Sequence, residues 1–391
     1  MKLDFDTVYD RRGTNSLKWD FFRERHHSSD ELPLWVADMD FRAADPIVKA
    51  LRDTADKGFF GYTVEKYEDK KIVSDWLLRR HGYAPDPEYI VFAPGVVYAL
   101  TMAVQAYTEK DDAVMISEPV YYPFSTLVGD NSRRLVRNVL LKDEAGHYSI
   151  DFDLFEKQII DNDVKLYILC SPHNPVGRVW TEDELKKIGD ICLSHGVTVL
   201  SDEIHADFVY EGSRHIPFAS ISPEFEEHSV TFTSPSKTFN TAGLQIAEII
   251  AKDRNKRVSV KKLMNRLGYM EIPVMGLAAM RAAYTVCDEW VDALVAYIYE
   301  NMVFMEGYLS ESIPALHMTH PEGTYLPWVD FSALGLSVQE LEGLVRDKAK
   351  LWLDAGYIFG ESGSGYQRFN AACPREVLVR AMEQLKQAVN G

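Results

Sequence analysis

Through the middle of the chain, short apolar runs alternate with longer amphipathic segments, and this alternation limits the fold more than any other feature. The runs fall at residues 89–92, 113–117, 135–141, 165–170, 197–201, 230–233 and 246–251. Each is short and rich in branched apolar residues, as a strand buried on both faces must be, whereas the segments between them carry helical periodicity. The stretch 181–195 is the clearest helix: Thr181 and Glu184 stand at capping-box spacing, and Leu185, Ile188 and Cys192 share one stripe. Strands separated by helices pair side by side in parallel. The expected class is therefore α/β, with a mainly parallel seven-stranded sheet between helices.

From about residue 288 the pattern changes to one long helix reaching about residue 310, then irregular strands and helical stretches near 337–350 and 375–389. This predicts a large domain over 49–287 and a smaller α+β domain over 288–391, to which residues 1–48 also belong. No Pro/Ser-rich linker separates them, so the long helix is the expected hinge.

Composition narrows the partners. The chain has 391 residues, 46% of them hydrophobic and 26% charged, which is ordinary globular usage. A formal net charge of −17 without any basic cluster argues against nucleic acid and anionic membrane surfaces. No run approaches the roughly eighteen apolar residues of a membrane span. The opening MKLDFDTVYDRRG lacks the apolar centre of a secretory signal. Cys170, Cys192, Cys287 and Cys373 are far apart and form no CxxC pair, so neither a zinc site nor a disulfide framework is signalled. The expectation is a cytoplasmic protein with a small-molecule partner and no metal.

Four strand ends carry residues with chemical potential. In TSPSKTFNTAG, Lys237 follows Ser234 and Ser236. A loop lysine is ordinarily solvated, but hydroxyls and backbone N–H groups at the carboxyl edge of an open sheet can hold a phosphate, which would set this lysine beside an anion. In VTVLSDEIHADF, Asp202 and Glu203 end another run. Such a pair can be a helix cap or a solvated turn. A buried carboxylate there could also keep a heteroaromatic nitrogen protonated, as pyridoxal phosphate requires. Consecutive strand residues face opposite sides, so only one of the pair points inward, and Asp202 is the choice. In LYILCSPHNPVGRVW, Asn174 could donate its amide to a phenolate oxygen, while His173 reads as a structural loop residue. In VFAPGVVYALTMAV, the turn at Pro94–Gly95 opens a helix whose first N–H groups could seat a phosphate. Tyr121, in SEPVYYPFS, could stack on a planar ring or simply pack.

SPHNPVGR, SDEIH and SPSKTFN, in that order, resemble the signature of the fold-type I pyridoxal-phosphate enzymes, the aspartate aminotransferase superfamily. LWVADMDF, GYT, APGVVYAL, EPVYYPF, SKTFNTAGLQ and RFNAACPR further resemble its carbon–sulfur β-lyase branch, the MalY/PatB type of cystathionine β-lyase, and the likeness spans nearly the whole chain. It implies that Lys237 bonds the coenzyme as its Schiff-base lysine, Asp202 partners the pyridine nitrogen, Asn174 lies near the ring oxygen and Tyr121 stacks. Gly95, Val96, Val97 and Ser234 would bind the phosphate, and Tyr62 would reach the phosphate of a neighbouring subunit, making the active unit a homodimer. Arg368 would clamp the substrate carboxylate with its planar fork. Trp35, Asp38 and Phe41 would shape the substrate entrance. Gln245 stands where many aminotransferases have an arginine for the phosphate, and His205 where many have a tyrosine at the ring oxygen; the lyase branch resembles this chain at both places. The implied reaction is α,β-elimination from L-cystathionine or a related sulfur amino acid to a thiol, pyruvate and ammonia. Transamination and a non-catalytic binding or regulatory role are the rivals.

Overall fold

The computed structural model describes residues 3–21 and 31–391. All seven expected runs are strands of one sheet, ordered Ile90–Ala93, Ala247–Ile250, Ser229–Thr233, Thr198–Asp202, Val164–Cys170, Ala113–Glu118 and Arg134–Val139. All run parallel except Ala247–Ile250, which is antiparallel to both of its neighbours. The central strands are apolar because helices cover both faces, and their side chains enter two separate cores, one on each side of the sheet. Arg134–Val139 alternates exposed and buried residues, as an edge strand does. The helix Glu182–Ser194 has the expected capping box, with Thr181 Oγ1 accepting from the Glu184 N–H.

The reversed strand has a consequence for the site. Because Ala247–Ile250 runs against the others, its beginning, with Gln245 and Ile246, lies at the same edge as the carboxyl ends of the parallel strands. That edge gathers the turns after Ala93, Cys170, Asp202 and Thr233, where ligands bind in open α/β sheets.

The long helix is Asp288–Ser312. Asp288 and Glu289 suit the positive end of its dipole, and Trp290, Val291, Leu294, Ile298, Met302, Met305 and Leu309 form its buried stripe. It stops just before Ile313, whose position ahead of Pro314 disfavours helical backbone. Beyond it, a four-stranded antiparallel sheet orders His317–Met318, Trp328–Asp330, Tyr366–Arg368 and Asp354–Ala355. The start of the chain is tied to this region: Leu32–Pro33 pairs in parallel with Leu351–Trp352, and Phe5 packs on Trp290 and Tyr297 of the long helix. Residues 34–41 then run from this tie toward the large sheet's carboxyl edge, where Asn240 holds the Met39 and Phe41 carbonyls and the Met39 N–H.

Candidate functional site

The carboxyl edge of the large sheet opens into a cavity of about 250 Å³. It gathers Trp35, Gly95, Val96, Val97, Tyr121, Asn174, Asp202, His205, Ser234, Lys237 and Arg368, which is every expected site residue except Tyr62, Asp38 and Phe41.

Lys237 sits in the single helical turn Pro235–Thr238. Its Nζ donates to the Ala37 carbonyl at 2.7 Å, and Tyr325 Oη donates to the same oxygen at 3.1 Å. No carboxylate of the described residues pairs with it. Burial, then repulsion from Arg368, lowers its pKa to about 8, against partial support from Asp38 and Asp202. The amine therefore gives up its proton far more readily than an exposed lysine does, as a nucleophile or base needs.

Asp202 is the inward member of its pair. One oxygen accepts the Ile204 N–H at 3.1 Å. Burial raises its pKa to about 7, with the Ile204 bond and Lys237 opposing. Glu203 is neither a cap nor solvated. It is buried on the other side, where it accepts from Ser201 Oγ at 2.8 Å, the Phe218 N–H at 3.0 Å and His215 Nε2 at 3.0 Å. His205 lines the cavity with its Nδ1 buried and unpartnered, and burial, then Lys237 and Arg368, holds it well below the ordinary histidine range, so the ring is neutral.

Arg368 is 2% exposed. Its Nη2 donates to the Trp35 carbonyl at 2.9 Å and to Asp354, directly opposite it in the antiparallel sheet; its Nη1 donates to Asn174 Oδ1 at 3.1 Å. Phe359 stacks beneath the guanidinium at 4.8 Å, and Nε has no partner. With Asn174 Oδ1 taken by Arg368, the amide Nδ2 is the group left to donate, in keeping with the expected role.

Gly95 caps the helix Val96–Tyr107, and the first N–H groups of that helix have no carbonyl within it to bond. With the positive end of the dipole they form a seat for an anion. Ser234 is less free than expected: its hydroxyl donates to the Ile246 carbonyl at 2.7 Å and accepts the Ser236 N–H at 3.0 Å, while Ser236 also lines the cavity.

Three expected residues lie elsewhere. Phe41 is buried in the core, edge-on to Phe5 at 5.2 Å and to Tyr297 at 5.6 Å, because an apolar ring gains more from that packing than from an entrance position. Asp38 is held by Arg11 at 2.8 and 3.2 Å and is not part of the cavity wall. Its neighbours supply backbone to the site instead. Tyr62 is 95% exposed in the single chain, amid exposed Phe59, Phe60, Val64 and Tyr67. Sequence reasoning missed Asp354, Tyr122 and the Ala37 carbonyl. A lone Asp between apolar residues in LWLDAGY was the one available signal for Asp354; nothing marks a carbonyl in advance.

Together these groups provide an amine of lowered pKa, a buried carboxylate, an anion seat and a guanidinium converging on one apolar-walled cavity. That set can hold an anionic ring compound and a carboxylate-bearing substrate side by side.

Comparison with known proteins agrees with this geometry. The chain is 45% identical over 388 residues to cystathionine beta-lyase PatB of Bacillus subtilis, covering 99% of this chain and 100% of that one. It is 33% identical to protein MalY of Escherichia coli, with 99% of each chain covered. The structure of cystalysin from Treponema denticola, which contains a pyridoxal 5'-phosphate cofactor, superposes with a TM-score of 0.97 at 36% identity, covering 100% of this chain and 99% of that one. The family model for aminotransferase class I and II matches residues 30–385, and the chain belongs to that family, with the fold-type I architecture expected from its sequence.

Proposed function

We propose that the protein is a pyridoxal 5'-phosphate-dependent carbon–sulfur β-lyase that cleaves L-cystathionine and related sulfur amino acids to a thiol, pyruvate and ammonia. The observation that carries this reading is the Lys237 amine, brought to a pKa of about 8 and facing Asp202 and Arg368 across one cavity.

The cavity fits the coenzyme group by group. The N–H groups of Val96 and Val97 beyond Gly95, with Ser234 and Ser236, offer donors for a phosphate. The Asp202 carboxylate has an oxygen free for a protonated ring nitrogen, and Asn174 Nδ2 and the orphaned Nδ1 of His205 stand ready for polar ring substituents. Tyr121 supplies an aromatic wall. When bound, the coenzyme would accept the electron pair left at the substrate α-carbon.

The chain's own residues do the rest. Arg368 holds the substrate α-carboxylate, which would take over donors now given to Asp354 and the Trp35 carbonyl. The Lys237 amine removes the α-proton, with the Ala37 carbonyl fixing one of its N–H bonds so that the lone pair has a set direction. Asp202 would hold a proton on the ring nitrogen of the bound coenzyme. Elimination then breaks the Cβ–S bond and releases the thiolate from the cavity, whose walls include Trp35 and Tyr122.

We infer also that the active unit is a homodimer: the exposed apolar stretch around Tyr62 suits burial against a second copy, where Tyr62 can reach the partner's phosphate site. The test of the activity is direct. Purified holoenzyme given L-cystathionine and no keto acid should release pyruvate and free thiol continuously; turnover only after a keto acid is added would instead identify a transaminase.

A further inference from the structure

Behind the cavity lies a second buried polar layer that the reaction above does not use. The two stretches that supply Asp202, His205 and Lys237 alternate between the layers: Glu203, Asp207 and Thr238 do not line the cavity, although each lies within two residues of a group that does. Thr238 Oγ1 donates to Asp207 Oδ2 at 2.6 Å. The other oxygen of Asp207 meets His81 Nε2 at 3.1 Å, with Arg80 Nε at 3.7 Å. The His81 ring lies edge-on to His215 at 5.2 Å, and His215 donates in turn to Glu203. Tyr284, from the helix Val274–Val286, also faces Asp207. Burial works against the Asp207 carboxylate, but the bond and charge of His81, then Thr238 and Arg80, hold its pKa below the ordinary range.

This arrangement matters because Lys237 stands on very little helix. Pro235–Thr238 is a single turn, too short to hold its own shape through cooperative hydrogen bonding. Thr238 is the next residue after Lys237, so whatever fixes the Thr238 side chain fixes the rotation of that turn and the angle at which the lysine side chain leaves it. The bond to Asp207 ties the turn to the stretch that carries Asp202.

We propose that Asp207 is a positioning residue for Lys237, acting through Thr238, with His81 and Arg80 fixing Asp207 from the helix Tyr67–His81. The proposal rests on the reading of Lys237 as the reactive amine. Its consequence is specific. Loosening the Thr238–Asp207 bond leaves the substrate clamp at Arg368 untouched, so the loss falls on kcat and on the properties of the lysine itself, not on KM.

The experiment uses holoenzyme of the wild type, Thr238→Val, Thr238→Ser and Asp207→Asn. Borohydride reduction followed by peptide mass spectrometry first locates the coenzyme adduct in each. Kinetics then separate kcat from KM, and a pH titration of the visible coenzyme band reports the environment of the lysine nitrogen. Thr238→Val, which removes the hydroxyl at constant volume, should lower kcat by about tenfold to a hundredfold, as a small misplacement of a reacting group does. KM should stay within about threefold, and the band's titration midpoint should move by about one pH unit. Thr238→Ser should restore both, and Asp207→Asn should shift both in the same direction by less. An unmoved midpoint and wild-type kcat in Thr238→Val overturn the proposal. So does a loss that Thr238→Ser fails to recover. Should Thr238→Val not fold, Asp207→Asn decides alone, a wild-type midpoint and kcat counting against the proposal. An adduct away from Lys237 in the wild type sinks the assignment of Lys237 itself; an adduct at Lys237 with unaltered variants sinks only the role of Asp207.

Discussion

Two lysines, one fully buried and one half-buried, grip neighbouring carbonyls of the same segment and come to opposite ends. Lys18 is fully buried, with its Nζ on the Asp38 carbonyl at 2.9 Å and on Asp40 Oδ2 at 2.7 Å. Asp40 is further held by Arg11 at 3.0 Å and by Trp19 Nε1 at 2.9 Å. Lys237 bonds the carbonyl of Ala37, one residue earlier, but is given no carboxylate. The environment decides what each amine can do. A lysine in contact with a buried carboxylate becomes a structural tie, whereas one with no carboxylate in contact and Arg368 nearby has its pKa lowered. The same backbone stretch thus anchors the N-terminal segment through one lysine and holds the cavity-lining amine of Lys237 through the other.

The comparison is broken most severely at Lys237. Lys237→Ala should reduce pyruvate release from L-cystathionine by about 10⁴-fold, since proton transfer by a placed group and covalent tethering are both lost. Its melting temperature should not fall, because no ion pair is removed; comparable loss of stability would mean that this lysine is as structural as Lys18. Next comes the clamp that helps depress the Lys237 pKa. Arg368→Lys keeps a charge but gives up the fork that now serves Asn174, Trp35 and Asp354 at once. Steady-state kinetics should show kcat/KM reduced by about a hundredfold, largely through KM. An unchanged KM would show that the α-carboxylate binds elsewhere.

Lys18→Met tests the other side. It keeps most of the apolar stem and removes the ammonium, leaving Asp40 buried with Arg11 and Trp19 as its remaining partners. Breaking a buried pair from one side costs about 3 kcal/mol, so denaturant midpoints should fall clearly, while kcat of the folded fraction changes little. A variant of wild-type stability would mean that Arg11 alone satisfies Asp40.

How much of this could be read beforehand follows from the range of each interaction. The strands were legible because apolar runs buried on both faces leave a local trace, and the Glu182–Ser194 helix because its capping box lies within one turn. That Lys237, Asp202 and Asn174 gather at one edge was legible because each sits within a few residues of a strand end, and strand ends of such sheets converge. The counter-ions were not. Asp207 meets His81 across 126 positions, and Arg368 reaches the Trp35 carbonyl across 333, separations at which residue type says nothing of partnership. Asp38 misled for the same reason: its place in LWVADMDF suggested the entrance, but Arg11 claims its carboxylate from a segment with no signature of its own. Tyr62 is the converse case: it is exposed in the single chain, and the role proposed for it needs the second copy inferred above.

The finest distinction between the two lysines is the reactivity of the amine, and it can be read without turnover. In coenzyme-free protein, an amine-selective acylating reagent reacts only with neutral amines, and peptide mass spectrometry counts the label at each lysine separately. The folded-state pKa of Lys237 is depressed to about 8 from 10.5, so it is mostly protonated below pH 8 and mostly neutral above it. Its labelling should therefore rise with pH around a midpoint near 8, while exposed lysines follow only as pH approaches about 10.4. Lys18, fully buried against Asp40, should stay unlabelled throughout that range until the protein unfolds. Arg368→Gln removes the nearest repelling cation, so the Lys237 midpoint should move upward in that variant and leave Lys18 unaffected. A Lys237 midpoint at the ordinary lysine value would mean that enclosure alone does not make this amine a base, and the contrast with Lys18 would then reduce to exposure.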